Sequence, residues 1–153
     1  PPPPPSEGSA AAGTPQIPAE TLYTNAMRDK SSGRMELAAQ QFQEYLKFYG
    51  DTELAPNAQF YLGEIHYAQA DFENALREFD LVLEKYPENN KTADAWYMKG
   101  QTLVKMGRRT DGAKEYRALI SRFPNSDVAG KARSALRSMG LSATPAAPKR
   151  RTR

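Results

Sequence analysis

The chain has 153 residues, of which 39% are hydrophobic and 25% charged, and this length fits one domain. It contains no cysteine, which excludes disulfides, thiolate zinc sites and a cysteine nucleophile. The formal charge is +3, but the last nine residues hold four basic side chains, so 21 basic residues less these four leave 17 against 18 acidic ones. We therefore expect a near-neutral folded part without a basic face.

The two ends differ from the middle in composition. Residues 1–18 consist largely of Pro, Ala, Gly and Ser and cannot bury enough apolar surface to offset the entropy of ordering, so they predict a disordered linker. Residues 141–153 predict a disordered basic tail. The chain lacks an initiating Met, a signal peptide and any apolar run of about 18 to 20 residues. We expect a mature piece or fragment whose targeting signal, if any, lay upstream.

Residues 19–140 repeat themselves at a spacing of 37 positions. Three columns of small residues and several columns of bulky ones coincide when the sequence is shifted by this amount, which is typical of stacked helical repeats. The small columns are Ala26, Gly63, Gly100; Gly33, Ala70, Gly107; and Ala38, Ala75, Gly112. The bulky columns are Phe42, Phe79, Tyr116; Leu46, Leu83, Ile120; and Tyr49, Tyr86, Phe123.

Each repeat is predicted to be two antiparallel helices joined by a tight turn. In the second copy, apolar residues between Phe72 and Leu83 follow i, i+3, i+4, i+7 spacing, and Pro87 ends the helix because it cannot continue the hydrogen-bond ladder. Gly63 and Ala75 are predicted where the two helices cross, since only small side chains permit close approach. The repeats span about 19–50, 56–87 and 93–124.

A further amphipathic helix over about 127–139 is predicted to cap the last repeat. It has one apolar face and a polar outer side, with Gly140 as its C-cap. The sequence thus predicts an all-α fold with seven helices. The segment contains no sustained alternation of the kind that strands show.

The repeats resemble tetratricopeptide repeats (TPR). The residues on that signature are Leu62, Gly63, Phe72, Ala75, Phe79 and Pro87 in the second copy, and Trp96, Gly100, Gly107, Tyr116 and Pro124 in the third. The first copy is weaker because Gly50 replaces the closing proline, and the period is longer than the usual 34. The resemblance implies a right-handed superhelix in which the first helix of each pair lines a concave groove.

The long-period variant, with the segment APNAQFYLGE, resembles a narrower family over residues 21–140. It is the C-terminal domain family of the Tol-Pal-associated periplasmic protein YbgF (CpoB, the cell division coordinator). This resemblance implies a Gram-negative periplasmic adaptor that binds TolA and coordinates outer-membrane constriction with peptidoglycan synthesis. It also implies that an oligomerising coiled coil precedes the linker.

A second family has similar long repeats. The outer-membrane assembly lipoprotein BamD is the alternative, so the resemblance by itself leaves open whether the partner belongs to the Tol-Pal system or to outer-membrane protein assembly.

The 37-residue period assigns residues to the predicted groove. Its columns are rich in aromatic residues and Met, which supply contact area at small entropic cost. We name as groove residues Tyr23, Met27, Phe60, Tyr61, Glu64, Tyr67, Tyr97, Met98 and Gln101. The core is expected to be filled by Leu62, Ile65, His66, Phe72, Leu76, Phe79 and Leu83. The second apolar face of these helices then lacks an obvious internal partner, and Tyr61 and Tyr97 are the expected anchors.

Other chemistries have weak support in the sequence. His66 is the only histidine and is predicted to be a half-buried structural residue, and neither a metal-ligand cluster nor a glycine-rich phosphate loop is present. The groove columns lack the Lys and Asn that hold a partner's C-terminal carboxylate in some TPR domains. We predict a non-catalytic interaction module without cofactor or metal. The basic tail leaves a weak nucleic-acid or anionic-surface interaction as an alternative.

Overall fold

The computed structural model describes residues 17–145; the predicted linker before residue 17 and the tail after residue 145 lie outside the described residues. The described part is all-helical, without strands, and forms seven helices, as the sequence predicts. They are α1 Ala19–Ser31, α2 Met35–Tyr49, α3 Ala55–Ala68, α4 Phe72–Lys85, α5 Thr92–Lys105, α6 Arg109–Arg122 and α7 Asp127–Ser138.

Two compact units divide the chain, Pro1–Leu62 (unit 1) and Gly63–Arg153 (unit 2), and the boundary lies inside α3. In unit 1, α1 packs on α2, and Leu22, Phe42 and Tyr45 are fully buried between them. In unit 2, α5 packs on α4, α6 and α7, and α6 on α7. Apolar side chains of the amphipathic helices thus form the core of each unit.

The small-residue columns mark close helix approaches in unit 2. A Cβ atom built on Gly63 would lie 2.6 Å from Cε1 of Phe79, and one on Gly100 would lie 2.7 Å from the Tyr116 ring. Ala75 is fully buried. The crossing of α3 and α4 at Gly63 is therefore as predicted, because the Phe79 ring lies against the bare backbone.

Only some of the residues expected in the core of the second repeat are fully buried. Leu62, Ile65 and Phe79 are buried. The others are half-buried: His66, Phe72, Leu76 and Leu83.

The column of small residues at Gly33, Ala70 and Gly107 is explained by backbone conformation, which the periodicity did not reveal. Gly33 and Gly107 have φ of +80°, and Ala70 has φ of +58°. At each turn the next residue's N–H bonds a carbonyl five residues earlier, as from Asp71 to His66 at 2.9 Å. These are helix C-caps that need a left-handed residue, which glycine adopts without strain.

Ala70→Gly is expected to stabilise the protein by about 0.5 to 1 kcal/mol. A left-handed alanine costs about 1 to 2 kcal/mol of strain, which glycine relieves. Part of this gain in stability is offset because glycine has more conformational freedom in the unfolded chain. Urea unfolding would measure the difference. Ala68→Gly, in the last helical turn of α3, is the control and should lower stability by up to about 1 kcal/mol. A loss on Ala70→Gly would contradict the capping role.

The chain after α7 folds back onto α6. Gly140 has φ of +74°, and the Leu141 N–H bonds the Leu136 carbonyl at 2.8 Å, in agreement with the predicted C-cap. Nε of Arg117 donates to the Ser142 carbonyl at 3.1 Å, and Ala143 packs on the buried cluster of α6 and α7. Ordered packing therefore continues a few residues beyond the predicted boundary at 140.

Within residues 17–145, no helix is both long enough and apolar enough to cross a membrane. The same residues contain no group of three or more His, Asp or Glu side chains that could hold a metal ion.

Candidate partner-binding faces

The predicted groove residues differ in exposure. Phe60 is buried, with 6% of its surface exposed, so its ring is not available to a partner as expected. The others are half-buried and reach solvent in part: Tyr23, Met27, Tyr61, Glu64, Tyr67, Tyr97, Met98 and Gln101.

Phe60 is buried because α3 is apolar around most of its circumference. Along this helix Ala55, Ala58, Leu62 and Ile65 are buried as well as Phe60. A helix that is apolar on all sides lies in the interior rather than presenting one face to solvent. The assignment of Phe60 to the groove was therefore wrong, since periodicity fixes a residue's column but not how closely its surroundings pack.

An aromatic cluster in unit 1 includes rings from α1, α2 and the first half of α3. The Tyr23 ring lies 6.1 Å from Phe42 and 5.7 Å from Tyr45, both edge-on, and Tyr61 lies 5.9 Å from Phe42. The expectation that these rings lack an internal partner was therefore wrong. Aromatic residues of the second helix supply the partner, and the rings of Tyr23 and Tyr61 are held in place while part of each remains exposed.

Polar groups accompany this cluster. Nζ of Lys30 lies 5.2 Å from the centre of the Tyr61 ring, and Nδ2 of Asn57 lies 3.5 Å from the Tyr23 hydroxyl. A cation over a ring face is a favourable electrostatic contact. The face of unit 1 therefore combines apolar area with a positive charge.

Tyr67 and Tyr97 form the corresponding face of unit 2, and the buried Tyr116 lies beside Tyr97. Tyr97 of α5 lies 5.7 Å from Tyr116 of α6, and Tyr67 of α3 lies 5.3 Å from Phe72. Burial raises the pKa of Tyr67, Tyr97 and Tyr116, and the neighbouring Tyr97 phenol raises it further for Tyr67 and Tyr116. Each of the three tyrosines therefore stays protonated at neutral pH.

The tyrosine cluster predicts loss of stability in alkaline solution. An unfolded tyrosine ionises near pH 10, whereas folded Tyr116, whose pKa is raised by burial, keeps its proton to higher pH. Its contribution is complete below about pH 10 and is lost as pH rises toward the folded pKa, by up to about 1.4 kcal/mol per pH unit. Tyr116→Phe should flatten the fall of the urea midpoint above about pH 10, with a constant offset from wild type below about pH 9. An unchanged alkaline slope would contradict this cause.

A charged cluster in unit 2 escaped the sequence analysis. Nζ of Lys99 lies 2.8 Å from Asp80 of α4 and 3.2 Å from Glu115 of α6. Burial alone would lower the pKa of Lys99, but the bonds and charges of the two carboxylates outweigh it and raise the pKa. Lys99 stands 37 positions after the buried Leu62, in the same column of the repeat. A lysine in a column of buried residues was the sequence signal that could have predicted an ion pair here.

The space beside this cluster is a pocket of about 250 Å³ between α4, α5 and α6. Its lining alternates cations and carboxylates, with Leu76 and Leu103 as the apolar part. Because its lining holds three cations and three carboxylates, the pocket has no strong preference for an anion or a cation.

His66 is half-buried, as predicted. Its side chain is 16% exposed, and Nδ1 lies 3.7 Å from Oδ2 of Asp71, the residue that caps α4 by accepting from the Asn74 N–H. No nucleophile accompanies the imidazole in these contacts.

Paired antiparallel helices with capped left-handed turns and partly exposed rings on the first helices define a helical-repeat scaffold of the TPR type, a class that binds other proteins. A family model described as YfiO, outer membrane lipoprotein, matches residues 15–140. The chain therefore belongs to the YfiO outer membrane lipoprotein family.

Known structures agree on the fold. A crystal structure of MamA superposes with a TM-score of 0.64 at 19% sequence identity, covering 80% of this chain and 69% of that chain. Likeness at this identity shows the fold alone. No curated protein matches the sequence. The narrower resemblance to YbgF (CpoB) stays a prediction, and the family agrees in part with the alternative of a BamD-like lipoprotein.

Proposed function

We propose that the chain is a non-catalytic adaptor of the Gram-negative cell envelope that binds a peptide or helix of a partner protein. The observation that carries this proposal is that Tyr61, Tyr67 and Tyr97, on first helices, are fixed by neighbouring rings yet remain partly exposed. Rigid tyrosines lose little entropy on binding, which makes them effective anchors.

The partner-binding residues are those of the predicted groove without Phe60. The face of unit 1 consists of Tyr23, Met27 and Tyr61. The face of unit 2 adds hydrogen-bonding groups to its rings and consists of Glu64, Tyr67, Tyr97, Met98 and Gln101. Apolar contacts should dominate, so affinity should respond only weakly to salt.

The cellular setting follows from the family. Its description as outer membrane lipoprotein supports an envelope location, and we propose the periplasmic side of the outer membrane. The family match over residues 15–140 favours a role in outer-membrane protein assembly. The resemblance of APNAQFYLGE favours the Tol-Pal system, with TolA as partner and cell division as the process.

Pull-down from an envelope extract, with mass spectrometry, separates the two settings. Recovery of outer-membrane assembly proteins supports the first, and recovery of TolA supports the second.

Tyr97→Ala tests the face itself. We expect affinity for the captured partner to fall by about 2 kcal/mol, roughly thirtyfold. Phe48→Ala is the matched control, because Phe48 is a half-buried aromatic on the second helix α2. Both variants should first show cooperative unfolding. A change within twofold for Tyr97→Ala, or an equal loss for both variants, would remove this face from the proposal.

A further inference from the structure

The near-neutral total charge conceals a segregation along the chain. Residues 17–104 hold eight basic and 14 acidic side chains, a net of −6, whereas residues 105–145 hold nine basic and three acidic, a net of +6. We call residues 105–145, which include α6 and α7, the basic end. The near-neutral charge expected for the folded part therefore results from two opposite sums of equal size.

Few carboxylates neutralise the basic end. Of its three acidic residues, Glu115 pairs with Lys99 at 3.2 Å and Asp111 pairs with Arg108 at 2.9 Å. One carboxylate from outside the basic end, Glu88, pairs with Arg122 at 3.1 Å. The cations Lys114 and Lys131 are exposed.

Four arginines bond uncharged oxygens instead of carboxylates. The acceptors are the Met139 carbonyl for Arg109, the Ser142 carbonyl for Arg117, the Pro124 carbonyl for Arg133 and the Ser134 hydroxyl for Arg137. These bonds orient the guanidinium groups but leave their charge uncompensated.

The contacts also place an apolar residue among these charges. Arg109 and Arg117 of α6 bond the segment immediately after α7, and this segment includes Leu141. Leu141 is 36% exposed and is one of three large hydrophobic residues exposed among residues 17–145. Cations around an exposed leucine suit a lipid interface, where phosphates meet the charges and the apolar side chain enters the headgroup layer.

We propose that the basic end docks on an anionic lipid membrane. The charge of the tail acts in the same direction, since Lys149, Arg150, Arg151 and Arg153 follow Pro145 within eight residues of chain. Clusters of four to eight cations are typical of surfaces that bind anionic lipid.

A lipid surface fits better than a nucleic acid. No aromatic residue follows Phe123, so base stacking is missing from α7 and the tail. The exposed Leu141 contributes nothing to a phosphate backbone but adds affinity in a bilayer. The basic end contains none of the groove residues. If the basic end does not bind lipid, the proposed adaptor function is therefore unaffected.

The test is sedimentation of the full chain with vesicles at low salt. We expect binding to phosphatidylcholine vesicles containing one-third phosphatidylglycerol, loss of binding in high salt, and none to pure phosphatidylcholine. The combined substitutions Lys114→Gln, Lys131→Gln and Arg137→Gln remove three charges without touching the bonds to the segment after α7. At about fivefold per charge, they should weaken binding roughly a hundredfold.

The matched control removes three exposed charges elsewhere, with Lys47→Gln, Arg77→Gln and Lys85→Gln. This variant should bind within about threefold of wild type or more tightly. Equal losses for both triple variants, or equal binding to neutral vesicles, would overturn the proposal. So would displacement by inorganic phosphate at constant ionic strength, which indicates a discrete phosphate site. Tighter binding to a DNA duplex or to polyglutamate than to the vesicles would assign the surface to that partner instead.

Discussion

Gly112→Ala is expected to destabilise unit 2 by about 2 kcal/mol, although alanine is the better helix former. A Cβ atom at this position would lie 2.8 Å from the Gly100 carbonyl oxygen and 2.7 Å from Cγ2 of Val104. The carbonyl belongs to the backbone of α5 and cannot rotate away, so α5 and α6 must separate. The urea midpoint and slope measure the loss.

The control is Gly130→Ala in α7. This glycine is helical and exposed, and a Cβ atom there would meet nothing within 4 Å. The substitution should therefore raise stability by up to about 1 kcal/mol through helix propensity alone. Opposite signs for the two substitutions would establish that Gly112 is required by the approach of two helices. A Gly112→Ala protein as stable as wild type would show that α5 and α6 are not this close.

Gly63→Leu and Phe79→Ala should be strongly coupled. The leucine would overpack the α3–α4 crossing at about 1 to 3 kcal/mol, because Phe79 occupies the space above Gly63. Phe79 is fully buried, so its truncation alone should cost about 3 to 5 kcal/mol. In the double variant the leucine enters the vacated space, so the combined loss should be smaller than the sum by at least about 1 kcal/mol.

Pairing Gly63→Leu with Leu136→Ala provides the comparison. Leu136 is also fully buried but belongs to α7, and its loss should add to that of Gly63→Leu within about 0.5 kcal/mol. Additivity in the Phe79 pair would place the two residues apart and contradict the crossing. Wild type, the three single variants and the two double variants can be compared by urea unfolding at one pH.

The sequence by itself determined the helical class, the seven helices and the 37-residue unit. It could do so because packing of helix pairs repeats the same small and bulky residues at the same positions, as at Gly63 and Gly100. Two helix ends could also be predicted from the sequence, because Gly140 and Pro87 end helices through local backbone geometry. The pattern showed only that the residues at positions 33, 70 and 107 are small. The structure shows that each is the left-handed residue of a helix C-cap.

Only the tertiary structure decided which aromatic residues are buried and where charge accumulates. Phe60 and Tyr61 are neighbours with the same local signal, yet one is enclosed and the other reaches solvent. Burial depends on contacts between residues far apart in the chain, which periodicity does not encode. The same holds for Lys99, whose two carboxylates come from other helices, and for the arginines of α6, which bond the chain after α7.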